Sequence, residues 1–110
     1  MIKAISIFLS TIVVISCASN IYNRAAPEGN DTFKNVCSAC HTSGLRGWLS
    51  GAPEIGDKKA WADYIADDSL AKMKTIVLKG QRDHRKKGGC KSCTDEQIIG
   101  AVEYMVSKSK

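Results

Sequence analysis

The chain has 110 residues, a formal net charge of +5 and five cysteines. That length holds one domain with a modest core. Its basic residues have no stacking aromatics among them, which excludes a nucleic-acid-binding surface.

Met1 to Ser16 carries one cation, Lys3, and then an apolar run from Ile5 to Ile15. The run is too short to span a bilayer and has the form of a secretory signal. It ends in Val14-Ile15-Ser16-Cys17, which resembles the bacterial lipobox, where the cysteine becomes the lipidated first residue of the mature chain. Residues 1–16 are therefore expected to be a signal peptide and Cys17 the lipidation site. Cleavage after Ala18, with Ser16 and Ala18 as the small residues, is the competing reading. Loss of Lys3 leaves 15 basic against 11 acidic residues, a net charge of +4. Residues 17–29 read as a tether, with Pro27 and Gly29 and no apolar period. The folded domain is expected over residues 30–110.

Asn30 or Asp31 can cap a first helix that runs through Phe33 into Cys37-Ser38-Ala39-Cys40-His41. Two cysteines separated by two residues and followed by histidine read as a c-type haem attachment site. On one helical turn the two thiols point the same way and can reach both vinyl groups of one porphyrin. His41 then lies under the ring and can give an imidazole nitrogen to the iron. A second pair, Cys90 and Cys93, raises the alternative of a four-cysteine zinc site. The 49 intervening residues are far more than a zinc ribbon uses, and a thioredoxin-like pair needs a βαβ context that is missing. A covalently held porphyrin would enlarge the small core, so the haem-free chain is expected to lose helix.

The segment after His41 is glycine-rich, with Gly44, Gly47, Gly51 and Gly56. Lys58 to Ala66 reads as a short helix with Trp61 and Ile65 four apart. Ser69 caps a helix through Lys79, stopped by Gly80, with Leu70, Met73 and Val77 as its apolar stripe. Thr94 to Ser107 reads as the last helix. Thr94 and Gln97 can form a capping box there, and Ile98, Val102 and Met105 fall at helical spacing.

Gly29 and Phe33 at four-residue steps before the Cys-x-x-Cys-His motif, and a C-terminal helix with Gly100 and Tyr104, resemble class I cytochromes c. Within that class the chain is similar to the cytochrome c5 group. The matching segments are Gly51-Ala52-Pro53-Glu54-Ile55-Gly56-Asp57, Lys59-Ala60-Trp61-Ala62, and Lys87-Gly88-Gly89-Cys90-Lys91-Ser92-Cys93-Thr94-Asp95-Glu96, continuing to Ala101-Val102-Glu103-Tyr104-Met105. The resemblance implies an all-α fold of three to five helices around one covalent haem c, in an electron carrier. It implies a disulfide between Cys90 and Cys93. It also implies that the Pro53 carbonyl orients the His41 imidazole and that the Trp61 indole lies near a haem propionate. Leu45-Arg46-Gly47-Trp48-Leu49 makes the loop longer than in the family. Leu45, Trp48 and Leu49 can wall the haem, or Trp48 can cap the core from outside.

The chain departs from the family at the distal ligand. There, a methionine followed by two prolines precedes the Lys-Gly-Gly-Cys run. Here the position six residues before Cys90 holds His84, followed by Arg85 and Lys86. His84 is the expected sixth iron ligand. Met73, Met105, Lys86, Lys87 and an open site are the alternatives. Imidazole is a better donor to ferric iron than thioether, so a lowered reduction potential is expected. Lys79, Arg82, Arg85, Lys86, Lys87 and Lys91 surround His84, with Asp83 the only acid among residues 79–91. They read as a docking face for a redox partner with an acidic surface. The expected protein is a one-haem electron carrier on the periplasmic side of a bacterial envelope, lipid-anchored or soluble. It has no catalytic residues and no nucleic-acid partner, and two copies can pair through an exposed haem edge. The rival class is a haem-based sensor or gas-binding module. A small haem subunit of an oxidoreductase is a further variant.

Overall fold

The computed structural model describes residues 25–110. The predicted signal peptide, Cys17 and the first part of the predicted tether lie outside the described residues. Six α-helical segments follow one another: α1 (Ala25–Thr32), α2 (Ser38–His41), α3 (Leu45–Ser50), α4 (Lys58–Asp67), α5 (Leu70–Lys79) and α6 (Asp95–Ser109). A π-helical turn, Phe33–Cys37, joins α1 to α2 without a break, so these three pieces form one rod. A short 3₁₀ turn, Lys86–Gly89, precedes α6. There is no strand among the described residues, and the five rods stand at the upper end of the three to five expected.

The first helix starts earlier than expected. It is already helical at Ala25, so residues 25–29 are not tether and neither Asn30 nor Asp31 is its cap. Alanine is the strongest helix former, and Pro27 falls in the first turn, where a missing N–H costs no intrahelical bond. The switch to π geometry at Phe33–Cys37 shifts the register immediately before the second cysteine and the histidine. Such turns are frequent at functional sites.

The rod crosses α6 where glycine faces glycine. A Cβ on Gly29 would run into the backbone carbonyl of Gly100 and its carbon, so only a residue without a side chain lets the two backbones approach this closely. One turn on, Phe33 meets Tyr104 with ring centres 5.6 Å apart and planes inclined by 49°. Helix α6 carries most of the core: Ile98, Ala101, Val102, Met105 and Val106 are buried along it. Its start is fixed by the predicted capping box, with the Thr94 hydroxyl accepting from Gln97 N and the Gln97 side chain accepting from Thr94 N. Its end is tied to the segment ahead of α4. Ser109 is buried; its Oγ accepts from Gly56 N at 3.0 Å and donates to the Met105 carbonyl at 2.8 Å.

Helix α5 starts and stops where the sequence places it. Ser69 accepts from Lys72 N, and Gly80 takes the left-handed conformation (φ 68°). Met73 is buried as core filler, whereas Leu70, on the first residue of the helix, faces solvent. At that junction the buried residue is polar. Asp68 is 5 % exposed and joins α4 to α5.

Candidate functional site

His41 closes α2 and is 9 % exposed. Its Nδ1 lies 2.8 Å from the carbonyl oxygen of Pro53, the partner expected for it. A carbonyl only accepts, so Nδ1 carries the proton and Nε2 keeps its lone pair. The same segment is fastened twice more. Ile55 N donates to the His41 carbonyl at 2.8 Å, and the Trp61 indole donates to the Glu54 carbonyl at 2.9 Å. Burial lowers the His41 pKa, the Pro53 bond pulls the other way, and His84 pushes it lower again. Neutral imidazole, the form that binds a metal, is thereby favoured.

His84 lies in the loop between α5 and the 3₁₀ turn, half-buried. Its ring centre stands 6.4 Å from that of His41, and the two planes differ by 22°. Its Nδ1 is 2.8 Å from the carbonyl of Arg85, so it too carries its proton on Nδ1 and leaves Nε2 unengaged by that bond. The loop is folded tightly. Gly80 is approached so closely by Lys86 that a Cβ would lie 2.6 Å from Lys86 N. Gln81 N donates to the Ile76 carbonyl and His84 N to the Gln81 carbonyl. Arg82 sits at φ 54°, unusual for a residue with a side chain, and its guanidinium grips Asp68 at 2.8 and 3.3 Å.

Cys37 and Cys40 are both free thiols one turn apart on the same rod. Cys37 packs against the core, and burial, with Cys40 adding, pushes its thiol up to about 11. Cys40 is exposed. Cys90 and Cys93 are joined in the disulfide that the resemblance implies. The turn before it is braced by Lys87, which adopts φ 52°, donates to the Cys93 carbonyl at 3.1 Å and pairs with Asp95 at 2.7 Å. The disulfide takes two thiols from any four-cysteine zinc site. Among the described residues no three His, Cys, Asp or Glu side chains converge to hold an ion.

The other expected neighbours divide. Trp61 is 6 % exposed and its ring centre is 6.0 Å from that of His41, so it walls the site. Its single donor is committed to the Glu54 carbonyl. Leu45, Trp48 and Leu49 lie outside the protein core, 73, 78 and 68 % exposed. Gly47 is the buried residue of α3, packed against the Thr42 and Cys40 carbonyls. Met73 and Met105 are both buried in the core cluster. Sequence reasoning missed Asp68. Nothing in the chain marks a partnership across the 14 residues to Arg82.

Two imidazoles sharing one metal through facing nitrogens at about 2 Å have ring centres roughly 6 Å apart. The 6.4 Å between the ring centres of His41 and His84 and the two paired Nδ1 atoms, which leave Nε2 free of those bonds, fit an iron held between them. The adjoining thiols fit covalent capture of its porphyrin. Fold and site together define a small helical haem-binding domain.

Known proteins agree. Residues 24–105 match the family model described as Cytochrome C oxidase, cbb3-type, subunit III. The chain is 36 % identical to cytochrome c-555 of Chlorobaculum tepidum over 84 % of this chain and 85 % of that one. It is 34 % identical to cytochrome c5 of Azotobacter vinelandii over 73 % of this chain and 93 % of that one. A solved structure titled as an electron transfer complex of nitrite reductase with cytochrome c superposes with a TM-score of 0.65 at 31 % identity, covering 76 % of this chain and 96 % of that one. The chain belongs to the cytochrome c family. It is a one-haem electron carrier rather than an enzyme, and its haem c is covalently bound.

Proposed function

We propose that this cytochrome carries electrons at a lowered potential through a haem held by Cys37 and Cys40 and ligated by two histidines, His41 and His84. The observation that carries this reading is the 6.4 Å between the two imidazole ring centres. Each imidazole is oriented by a carbonyl on Nδ1, which fixes the tautomer and strengthens Nε2 as a donor. The haem supplies the reversible change of iron oxidation state. The chain's residues position it, exclude water from one face through Trp61 and Pro53, and set its potential. Imidazole in place of thioether favours the ferric form, so the potential falls below that of a His–Met relative.

His84→Ala is expected to turn a low-spin ferric electron paramagnetic resonance signal into a high-spin one. An unchanged spectrum would remove His84 from the iron. Carbon monoxide separates the carrier from a gas sensor, because a firm sixth ligand makes the ferrous protein bind it poorly.

The docking face is the basic distal loop, Lys79 to Lys91, next to the proposed ligand. Its partner presents acidic residues, as redox partners that associate briefly and quickly require. The rate of electron transfer to such a partner should fall as ionic strength rises.

The carrier works on the periplasmic side of a bacterial envelope, held by lipid at Cys17 after removal of residues 1–16. Among the described residues no helix is long and apolar enough to cross a membrane. The intact mass of the exported protein reads the lipid and the haem together.

A further inference from the structure

We propose that the ion pair between Asp68 and Arg82 is the latch that holds the distal loop closed over the haem with His84 facing His41. Both residues act on the iron only through His84, as positioning residues, so the inference rests on His84 as the second axial ligand.

The geometry makes the latch specific. His84 is fastened by its own ring only to its neighbour, the Arg85 carbonyl, which orients the imidazole but cannot hold the loop to the body. The backbone bonds of Gln81 and His84 reach back only to Ile76 and Gln81, within the end of α5 and the loop itself. Arg82, two residues before His84, crosses to the α4–α5 junction, while on the far side of His84 the loop is tied by Lys87 to Asp95 and the Cys93 carbonyl. The Arg82 Nη1 and Nη2 meet the two oxygens of Asp68 at 2.8 and 3.3 Å.

Asp68 is well suited to receive it. Its side chain is 4 % exposed, it stands at the junction of α4 and α5, and Lys72 pairs with it from the other side at 2.6 Å. A carboxylate buried this far is costly unless paired, so opening the loop leaves it short of a partner. The two-pronged contact is one a lysine cannot reproduce. The left-handed backbone at Arg82 points the same way. A residue with a side chain is held at φ 54° only where its surroundings enforce it.

The test uses the full-length holoprotein and three variants beside His84→Ala. Arg82→Gly removes the guanidinium while suiting the left-handed backbone, so folding is spared. Asp68→Asn keeps the shape and removes the charge. Lys72→Ala removes the other cation on Asp68 without touching the loop. In Arg82→Gly and Asp68→Asn a partly high-spin ferric signal is expected. Ferrous carbon monoxide affinity should rise by about tenfold, as the fraction of open loop rises. Lys72→Ala should stay within about twofold of the parent.

If His84→Ala is itself spectroscopically silent, the reading of His84 as ligand fails first, whatever the latch variants do. If His84→Ala becomes high-spin while Arg82→Gly and Asp68→Asn keep the parent spin state and carbon monoxide affinity, the latch is overturned and the ligand stands. An equal change in Lys72→Ala also overturns it, because the effect then belongs to the burial of Asp68 and not to the tie across to the loop.

Discussion

The two sides of the haem site are built by opposite means. His41 ends a continuous helical rod, is buried, and is braced by a carbonyl twelve residues away together with two further bonds to the same segment. His84 sits on a loop between two left-handed residues, Arg82 and Lys87, and its imidazole bonds to its own neighbour. On the proximal side, secondary structure and core packing supply the order. On the distal side, order comes from a few polar ties: Asp68 to Arg82, Lys87 to Asp95 and the Cys93 carbonyl, and the disulfide. A ligand placed by a helix is hard to change without unfolding the domain. A side chain placed by a tied loop, as His84 is, can be exchanged while the fold persists.

The most severe way to break the comparison is to remove what both sides share. In the variant Cys37→Ala with Cys40→Ala the haem is no longer covalently captured, and the intact mass should lack the tetrapyrrole. The core the porphyrin would enlarge is small, with eight buried hydrophobic residues among those described. Far-UV circular dichroism should show a large loss of helix, and full native ellipticity in that haem-free variant would show that the rods stand without the cofactor.

The proximal side was far more legible in the sequence than the distal side. Cys37, Cys40 and His41 announce themselves by spacing, Pro53 and Trp61 follow from the resemblance, and Gly29 with Phe33 points to the helix crossing. These are local patterns or contacts between rods whose faces follow a helical period. Even there the π turn could not be read, because no residue type in Phe33–Cys37 marks it, and the early start at Ala25 was missed although two alanines and a first-turn proline favour it. The exposure of Trp48 was equally hidden, as was the burial of its neighbour Gly47 against two carbonyls. On the distal side the sequence marked the position of His84 and the charge around it. It did not show that Arg82, one cation of six in the stretch, differs from the rest. The partner that singles it out, Asp68, lies in a run of acids, Asp67-Asp68, and only the fold buries one of the two.

Acid sharpens the comparison with a smaller effect. The Arg82 guanidinium, and then Lys72, hold the Asp68 carboxyl below the usual carboxylate range. A carboxylate whose pKa is depressed by folding contributes stability above its unfolded value, about 3.9, and that contribution is lost as pH falls through the folded value. Denaturant midpoints of the parent should therefore decline below about pH 4. In Asp68→Asn this share of the decline is absent, although its midpoint at neutral pH is lower. Parallel acid limbs for the two proteins would mean that the pair adds no pH-dependent stability to the distal side. The proximal brace of His41 on Pro53 involves no carboxylate and should contribute nothing to that limb.

The smallest expected effect lies beside the proximal rod, at Trp48. A tryptophan next to a haem motif invites the expectation that its loss would be costly, and burial argues otherwise. Trp48 is 78 % exposed, and α3 is seated by Gly47 and by the Ser50 hydroxyl, which donates to the Gly47 carbonyl at 2.7 Å. Trp48→Ala should change stability by no more than about 0.5 kcal/mol, as substitutions at exposed positions do. It should also leave the absorption spectrum of the haem in place. Trp61 provides the contrast, since it is buried, 6.0 Å from His41 by ring centres and bonded to Glu54. Trp61→Ala should cost about 3 kcal/mol or more. If the two substitutions cost the same in chemical denaturation, the proximal side owes its rigidity to α3 as well as to the segment from Pro53 to Ile55, and the brace described for His41 would have to be extended to the inserted helix.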